Sequence, residues 1–194
     1  MKFFVSLASL ALICTLGACT KMVERDYPKY LEKNAGESQL PTTRQVNQYY
    51  LPPETKSFSH TFSSFFTGVG MRWVVEVGKM LEDTMQSQDV QGAFGGLKAV
   101  DSDAVPGSTL VLEVQEYKFE DFGAHLSLNA KLLKGGRIAF EKSYTQTGRN
   151  QAGKMVIGGT FAQKNAVHQS TKLAMDEILR QLIADLNGAG QPVR

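Results

Sequence analysis

The chain has 194 residues, with 21 lysine and arginine against 19 aspartate and glutamate side chains, so its formal net charge is +2. This near-neutral balance, without a basic stripe, argues against a nucleic-acid partner. The length gives room for one domain with a substantial core, and the two cysteines, Cys14 and Cys19, both lie near the N-terminus.

The first predicted element is a signal peptide over residues 1–18. Lys2 is followed by an apolar run over residues 3–12, which is too short for a helix that crosses about 30 Å of hydrocarbon. Residues 16–19 read Leu-Gly-Ala-Cys, which resembles the bacterial lipobox. The resemblance implies cleavage before Cys19 and lipid attachment to its thiol, and two or three acyl chains anchor a protein stably. The alternative is an ordinary secretory signal with a chance cysteine.

The residue after the lipidated cysteine indicates to which membrane such a lipoprotein is sorted. Thr20 stands where aspartate would favour retention in the inner membrane. It therefore resembles the default outer-membrane signal. We expect a lipid-anchored protein of the outer membrane that faces the periplasm, with the inner membrane as the alternative.

The next segment predicts a lipidated cysteine followed by a flexible tether over residues 19–55. It contains four of the six prolines, has mixed charge and shows no sustained periodicity. Its apolar end, residues 46–51, could instead pack as an arm against a sheet edge. Residues 56–188 are predicted to form a single α+β domain, and residues 189–194 a tail.

Within this domain, strand-like alternation and helix-like periodicity follow each other along the chain. The predicted strands cover residues 56–62, 93–100, 108–119, 124–132 and 137–147. The predicted helices cover residues 69–86 and a segment from 160 or 163 to 187. Gly135-Gly136 predicts a tight turn that joins the last two strands, and residues 151–159 are predicted to be a loop.

The two amphipathic helices each need an apolar surface to cover. The predicted fold is therefore α+β, a single mostly antiparallel sheet of about four to five strands with both helices packed on one face. The other face of the sheet would be open to solvent or to a partner. Val111 and Tyr117 are among the side chains expected to point outward there.

This layout resembles small lipoproteins of the Gram-negative envelope. The residues that carry the resemblance are the lipobox, the proline-containing segment, the glycine-turn hairpin and a final helix with Ala166-Val167, Ala174-Met175, Ile178-Leu179 and Leu182-Ile183. Such proteins have a domain similar to the N-terminal domain of TolB, and include auxiliary lipoproteins of ABC-type transport systems, YajG-like proteins and activators of penicillin-binding proteins. The resemblance covers about residues 56–187 and implies a protein that binds other envelope components and is not an enzyme.

The candidate catalytic and metal-binding motifs are weak. Residues 148–155 have the glycine and lysine spacing of a phosphate-binding loop, but Met155 stands where the magnesium-binding hydroxyl belongs. The three histidines, His60, His125 and His168, lack metal-ligand spacing. We therefore expect no cofactor, no metal and no catalytic residues.

An aromatic cluster is the most informative feature that remains. Phe58, Phe62, Phe65 and Phe66 fall within nine residues. One interpretation assigns two of them to the core. The other places Phe65 and Phe66 on an exposed patch that docks a partner or an acyl chain, so these two are candidate partner-binding residues.

Together these observations predict a membrane-anchored, non-catalytic binding, assembly or transport-auxiliary module whose partner is an envelope protein. The alternative is a carrier or receptor for a lipid or glycolipid. A hydrolase with an unrecognised site is the least favoured hypothesis.

Overall fold

The computed structural model describes residues 20–63, 71–104, 106–149 and 152–189, except for the side chains of residues 152–160 and 189. The strands in these residues are β1 (Thr20–Met22), β2 (Gln48–Tyr50), β3 (His60–Ser63), β4 (Arg72–Val75), β5 (Lys98–Ala99), β6 (Ser108–Glu120), β7 (Gly123–Lys134) and β8 (Arg137–Thr147). The helices are α1 (Tyr27–Lys33), α2 (Pro53–Lys56), α3 (Val77–Gln86), α4 (Gln88–Phe94) and α5 (Ala152–Ala189), and a 3-10 turn at Glu24–Asp26 precedes α1.

The strands form two separate sheets. The larger sheet has the order β5-β2-β6-β7-β8, and the smaller one has the order β1-β4-β3. In the larger sheet β2 runs parallel to both of its neighbours, whereas β6, β7 and β8 form an antiparallel meander. In the smaller sheet β1 is parallel to β4, and β3 is antiparallel to it.

The α+β class is correct, but the predicted architecture of one mostly antiparallel sheet with two helices is wrong. The structure has two mixed sheets and five α-helices in the described residues. Strands β1, β2 and β5 contain only three, three and two residues. Alternation cannot be recognised over so few positions, and their parallel partners are brought in by tertiary packing.

The flexible tether predicted for residues 19–55 is not what the structure shows for residues 20–55. This segment forms β1, α1, β2 and most of α2, and it contributes six buried side chains to the core. They are Val23, Tyr27, Leu31, Val46, Tyr49 and Leu51. The prediction of a tether relied on the prolines as breakers of regular structure. Pro28 and Pro53 instead occupy the first turns of α1 and α2, where proline is tolerated.

The predicted helix over residues 69–86 begins later than expected. Helix α3 starts at Val77, and β4 precedes it. Trp73 and Val75 are buried while their neighbours in β4 are more exposed, which is the two-residue period of a strand. The two-residue period could not be recognised in the sequence, because Trp73, Val74 and Val77 also fit one face of a helix.

Two further segments differ from the prediction. The first two residues of the expected strand over residues 93–100 instead end α4, and Gly95 adopts a left-handed conformation with φ of 71° and terminates that helix. Only β5 remains of that strand. The expected loop over residues 151–159 instead belongs to α5 from Ala152 onward.

The antiparallel meander confirms the sequence prediction. Gly135 and Gly136 have φ of 57° and 75°, as a two-residue hairpin turn requires. A bulge between Val114 and Glu116 shifts the alternation of β6. Val111 pairs with Lys131 on the outer face but is only 4% exposed, so it is not open to solvent as predicted. Tyr117 points into the core, so its predicted outward orientation is wrong.

Helix α5 packs across the inner face of β7 and β8, and β3 of the smaller sheet packs against β6. Helix α3 contacts α1, α2, α4 and α5, so the core is continuous between the two sheets. Of the helices in the described ranges, none combines the length and the hydropathy that crossing a membrane requires.

Candidate functional site

A surface cavity of about 350 Å³ lies where α1 meets the junction of α3 and α4. Pro28 and Leu31 of α1 supply apolar wall. The charged side chains that line it come from four segments of the chain. They are Glu32, Asp83, Asp89 and Lys172.

A buried charged cluster adjoins this cavity, and two of its members, Lys172 and Asp89, line the cavity. The side chains of Lys172, Asp176 and Asp89 are only 7%, 8% and 11% exposed. Lys172 Nζ donates to Asp176 Oδ2 at 2.6 Å and lies 3.9 Å from Asp89 Oδ2. Ser38 Oγ accepts a hydrogen bond from Lys172 and donates to Asp89 Oδ2 at 2.7 Å. All three charges are therefore paired and hydrogen-bonded, as buried charges need to be.

Three elements hold this cluster in place. Lys172 and Asp176 are four residues apart on α5 and so lie on one face of the helix. Asp89 lies in the first turn of α4, and the backbone N–H of Gly36 donates to its Oδ1 at 2.6 Å. Arg180 Nη2 donates to the carbonyl oxygen of Ser38 at 3.0 Å. The loop after α1 is thereby tied to both α4 and α5.

Hydrogen bonding and burial act differently on the pKa values of the carboxylates in the cluster and on the cavity wall. Burial raises the pKa of Asp176 above its ordinary value, although the ammonium of Lys172 opposes this. Burial would also raise the pKa of Asp89, but donors from Ser38 and the Gly36 backbone outweigh it, and the pKa is lowered. At the rim, burial and the neighbouring Glu82 raise the pKa of Asp83. With one lysine among these carboxylates, the cavity suits a basic group of a ligand.

A second cavity of about 270 Å³ lies between α1 and the N-terminal part of α5, where Phe161 is 85% exposed. At its base, His168 Nε2 donates to the carbonyl oxygen of Val23 at 2.6 Å. The His168 ring is 5.3 Å from that of Tyr27 and 5.5 Å from that of Tyr30. His168 is only 1% exposed, and these ring contacts give it a packing role in the middle of α5. Burial lowers its pKa.

The outer face of the larger sheet is polar and internally bonded. Asn129 Nδ2 donates to Glu113 at 3.1 Å and to Glu141 at 3.0 Å, and Lys131 Nζ donates to Glu113 at 2.8 Å. His125 is hydrogen-bonded to Thr147 at 2.9 Å on the same face. The polar side chains of this face satisfy one another, and Asn129 in its centre is only 7% exposed.

The site residues predicted from the sequence, Cys19, Phe65 and Phe66, lie outside the described residues. The other two members of the aromatic cluster, Phe58 and Phe62, pack partly buried against the core.

His60 lies half-buried, with its ring 5.6 Å from that of Tyr117. Across the described ranges, no group of three or more histidine, cysteine, aspartate or glutamate side chains could hold a metal ion.

The sequence interpretation missed the buried charged cluster. Lys172 and Asp176 carried a signal, since they interrupt the apolar positions of a predicted helix with an oppositely charged pair four residues apart. Ser38 and Asp89 carried none, because both lie in segments without recognisable periodicity. Their contact spans 51 positions and depends on the fold.

Comparison with known proteins identifies a fold but no family. No family model matches the chain, and no curated protein matches it. Among solved structures, the chain is similar to protein XCC0632 from Xanthomonas campestris, described under the family DUF330, with 18% identity and a TM-score of 0.50 over 79% of this chain and 92% of that one. The hypothetical protein CT253 from Chlamydia trachomatis also matches, with 11% identity and a TM-score of 0.37 over 74% and 97% of the two chains. The first likeness indicates that this chain shares its fold with XCC0632.

Proposed function

We propose that the protein is a lipid-anchored lipoprotein that faces the periplasm and acts as a non-catalytic binding module of the cell envelope, in assembly or as a transport auxiliary. Its anchor is a lipid on Cys19, and its partner is another envelope protein. The lipobox-like residues 16–19 support the anchor. Thr20 after the cysteine supports an outer-membrane location over the inner-membrane alternative.

The observation that carries the binding role is the carboxylate-lined cavity beside α1. Four segments far apart in the sequence build it, and the buried cluster around Lys172 fixes their relative positions. A preformed concave surface with a few fixed charges is typical of a recognition site. The excess of carboxylates, Glu32, Asp83 and Asp89 against Lys172, fits a lysine or arginine side chain of a partner.

The packing favours a protein partner over the alternative of a lipid or glycolipid carrier. A carrier needs an apolar groove between the sheet and the helices. Leu112, Leu126 and Met175 fill that space and are almost completely buried. The cavities beside α1 and α5 are both lined by several charged side chains, which would be costly to cover with acyl chains.

Site-specific photocrosslinking in living cells tests this proposal. The photoreactive residue replaces Gln88, an exposed glutamine on the cavity wall, or Gln115, an exposed glutamine at the bulge of β6 as the matched control. We expect a discrete crosslinked envelope protein from position 88 and none from position 115. Equal crosslinking from both positions, or none from position 88, would contradict a partner site at this cavity.

A further inference from the structure

We propose that the end of the molecule formed by the start of β1 and the N-terminal part of α5 rests on the bilayer surface, with Phe161 inserted among the lipid headgroups. The inference rests on the proposed lipid at Cys19. It goes further in naming which surface faces the membrane and in placing the folded domain directly on it.

The position of Cys19 leaves no length of chain for a spacer. The next residue, Thr20, is already paired with Arg72 in β4, and the backbone N–H of Val23 donates to the carbonyl oxygen of Val74 at 3.0 Å. Consecutive Cα atoms are about 3.8 Å apart. A lipid on Cys19 is therefore attached within one residue of the folded sheet, and it holds this end of the sheet at the membrane.

Strand pairing shows which other elements share this end. Arg72 of β4 pairs with Thr20 on one side and with Ser63 on the other. The ring of Phe62, next to Ser63, lies 4.9 Å from that of Phe119 near the end of β6. The start of β1 therefore lies at the same end of the molecule as the turn between β6 and β7.

The direction of α5 brings its N-terminal part to this end as well. Asp185 lies against Tyr144 in the middle of the sheet, and Ser170 Oγ accepts the backbone N–H of Ala124 beside the β6–β7 turn at 2.7 Å. Going toward its N-terminus, α5 therefore passes beyond that turn. Phe161 precedes Ser170 by nine residues, or about 13 Å of helix.

The side chains around Phe161 suit a membrane interface. Phe161 is 85% exposed, and the adjoining cavity is lined by Lys29, Lys33 and Lys164. Lys164 forms an ion pair with Asp26. An exposed aromatic ring with lysines at its sides is typical of surfaces that bind the headgroup region of a bilayer.

The charge of the remaining surface at this end is mixed. Lys21 and Arg72 are exposed near the start of β1, while Glu120 and Asp121 are exposed at the β6–β7 turn. The anchor and the aromatic side chain therefore define the orientation, and the lysines favour anionic lipids.

Spin labelling of the lipidated protein tests this orientation. Cys14 and Cys19 are the only cysteines, and the proposed processing removes the first and lipidates the second, so an introduced cysteine is the only free thiol. One variant is Phe161→Cys. The matched control is Ile138→Cys, which replaces an apolar side chain that is 60% exposed beside the β7–β8 turn at the opposite end. Both are reconstituted in vesicles of phosphatidylethanolamine and phosphatidylglycerol, and collisions of the label with oxygen and with a water-soluble nickel complex are measured.

We expect the ratio of oxygen to nickel collisions to be severalfold higher at position 161 than at position 138. Water-like ratios at both positions, in protein that floats with the vesicles, would overturn the orientation and leave the anchor intact. Protein that does not float with the vesicles would overturn the proposed anchor, and with it this inference.

Discussion

Lys172 Nζ lies 2.6 Å from Asp176 Oδ2, although the two side chains are only 7% and 8% exposed. Removing a charge from water is costly, and the cost is offset only while its partner stays in place. The pair also anchors the loop after α1, because Lys172 donates to Ser38. The geometry of the proposed binding cavity therefore depends on this contact.

Replacing the lysine alone should be strongly destabilising. We expect Lys172→Met to lower the free energy of unfolding by about 3 kcal/mol, since it leaves the Asp176 carboxylate buried without its cation. Urea denaturation measures the change. The double variant Lys172→Met/Asp176→Leu should recover part of the loss, because it removes the closest pair together and leaves Asp89 with its hydrogen bonds from Ser38 and Gly36. If Lys172→Met were as stable as the wild type, the ion pair between Lys172 and Asp176 would not contribute to the stability of the fold.

Two helical glycines provide a matched test of the packing of α2 against α3. A Cβ at Gly78 would overlap the backbone carbonyl oxygen of Thr55, whereas a Cβ at Gly92 would meet nothing within 4 Å. Gly78→Ala should therefore destabilise the protein by about 2 kcal/mol or more. Gly92→Ala in α4 should stabilise it by about 0.5 to 1 kcal/mol. The melting temperatures of both variants test this prediction. Equal changes in the two variants would contradict the close contact between α2 and α3 at Gly78.

The segment over residues 20–55 yields a test that separates a packed element from a tether. Tyr27 is fully buried, and its hydroxyl lies 3.1 Å from Thr84 Oγ1. We expect Tyr27→Ala to lower the free energy of unfolding by about 3 to 5 kcal/mol. Lys29→Ala, at an exposed position of the same helix, should change it by no more than about 0.5 kcal/mol. Equal and small effects in urea denaturation would restore the tether interpretation.

His168 should make stability depend on pH. Burial lowers its pKa, a change that Lys164 reinforces and that the Val23 carbonyl and Asp26 oppose. The unfolded chain binds a proton near pH 6.5, while the folded protein does so only at lower pH. Its contribution is therefore fully present above about pH 6.5 and is lost as the pH falls toward the lowered folded value.

The control for this pH effect is His168→Gln, whose amide can still donate to the Val23 carbonyl oxygen. The difference in unfolding free energy between about pH 7.5 and pH 5.5 should be smaller in the variant than in the wild type. An unchanged difference would assign the pH dependence to other groups.

The predictable part of the fold is the part in which alternation continues over many residues. Strands β6, β7 and β8 have 13, 12 and 11 residues, and their inward apolar positions are visible in the sequence. Even there, the bulge after Val114 reversed the side to which Tyr117 points, because one extra residue changes the phase of a two-residue period.

The remaining elements are short and depend on distant contacts. Strand β2 is stabilised between β5 and β6, and neither partner can be deduced from the three residues of β2 itself. The same reason applies to the candidate site. Of its buried cluster, the helical pair Lys172 and Asp176 could be recognised by spacing, whereas Ser38 and Asp89 meet only after folding.

The most direct test of the central claim is metabolic labelling of the wild-type protein and of Cys19→Ala with an alkyne analogue of palmitate in Gram-negative cells, followed by membrane fractionation. We predict that the wild-type protein is labelled and sediments with the outer membrane, and that the variant is unlabelled and loses this association. An unlabelled wild-type protein, or a Cys19→Ala variant that is labelled and membrane-bound to the same extent, would contradict the account.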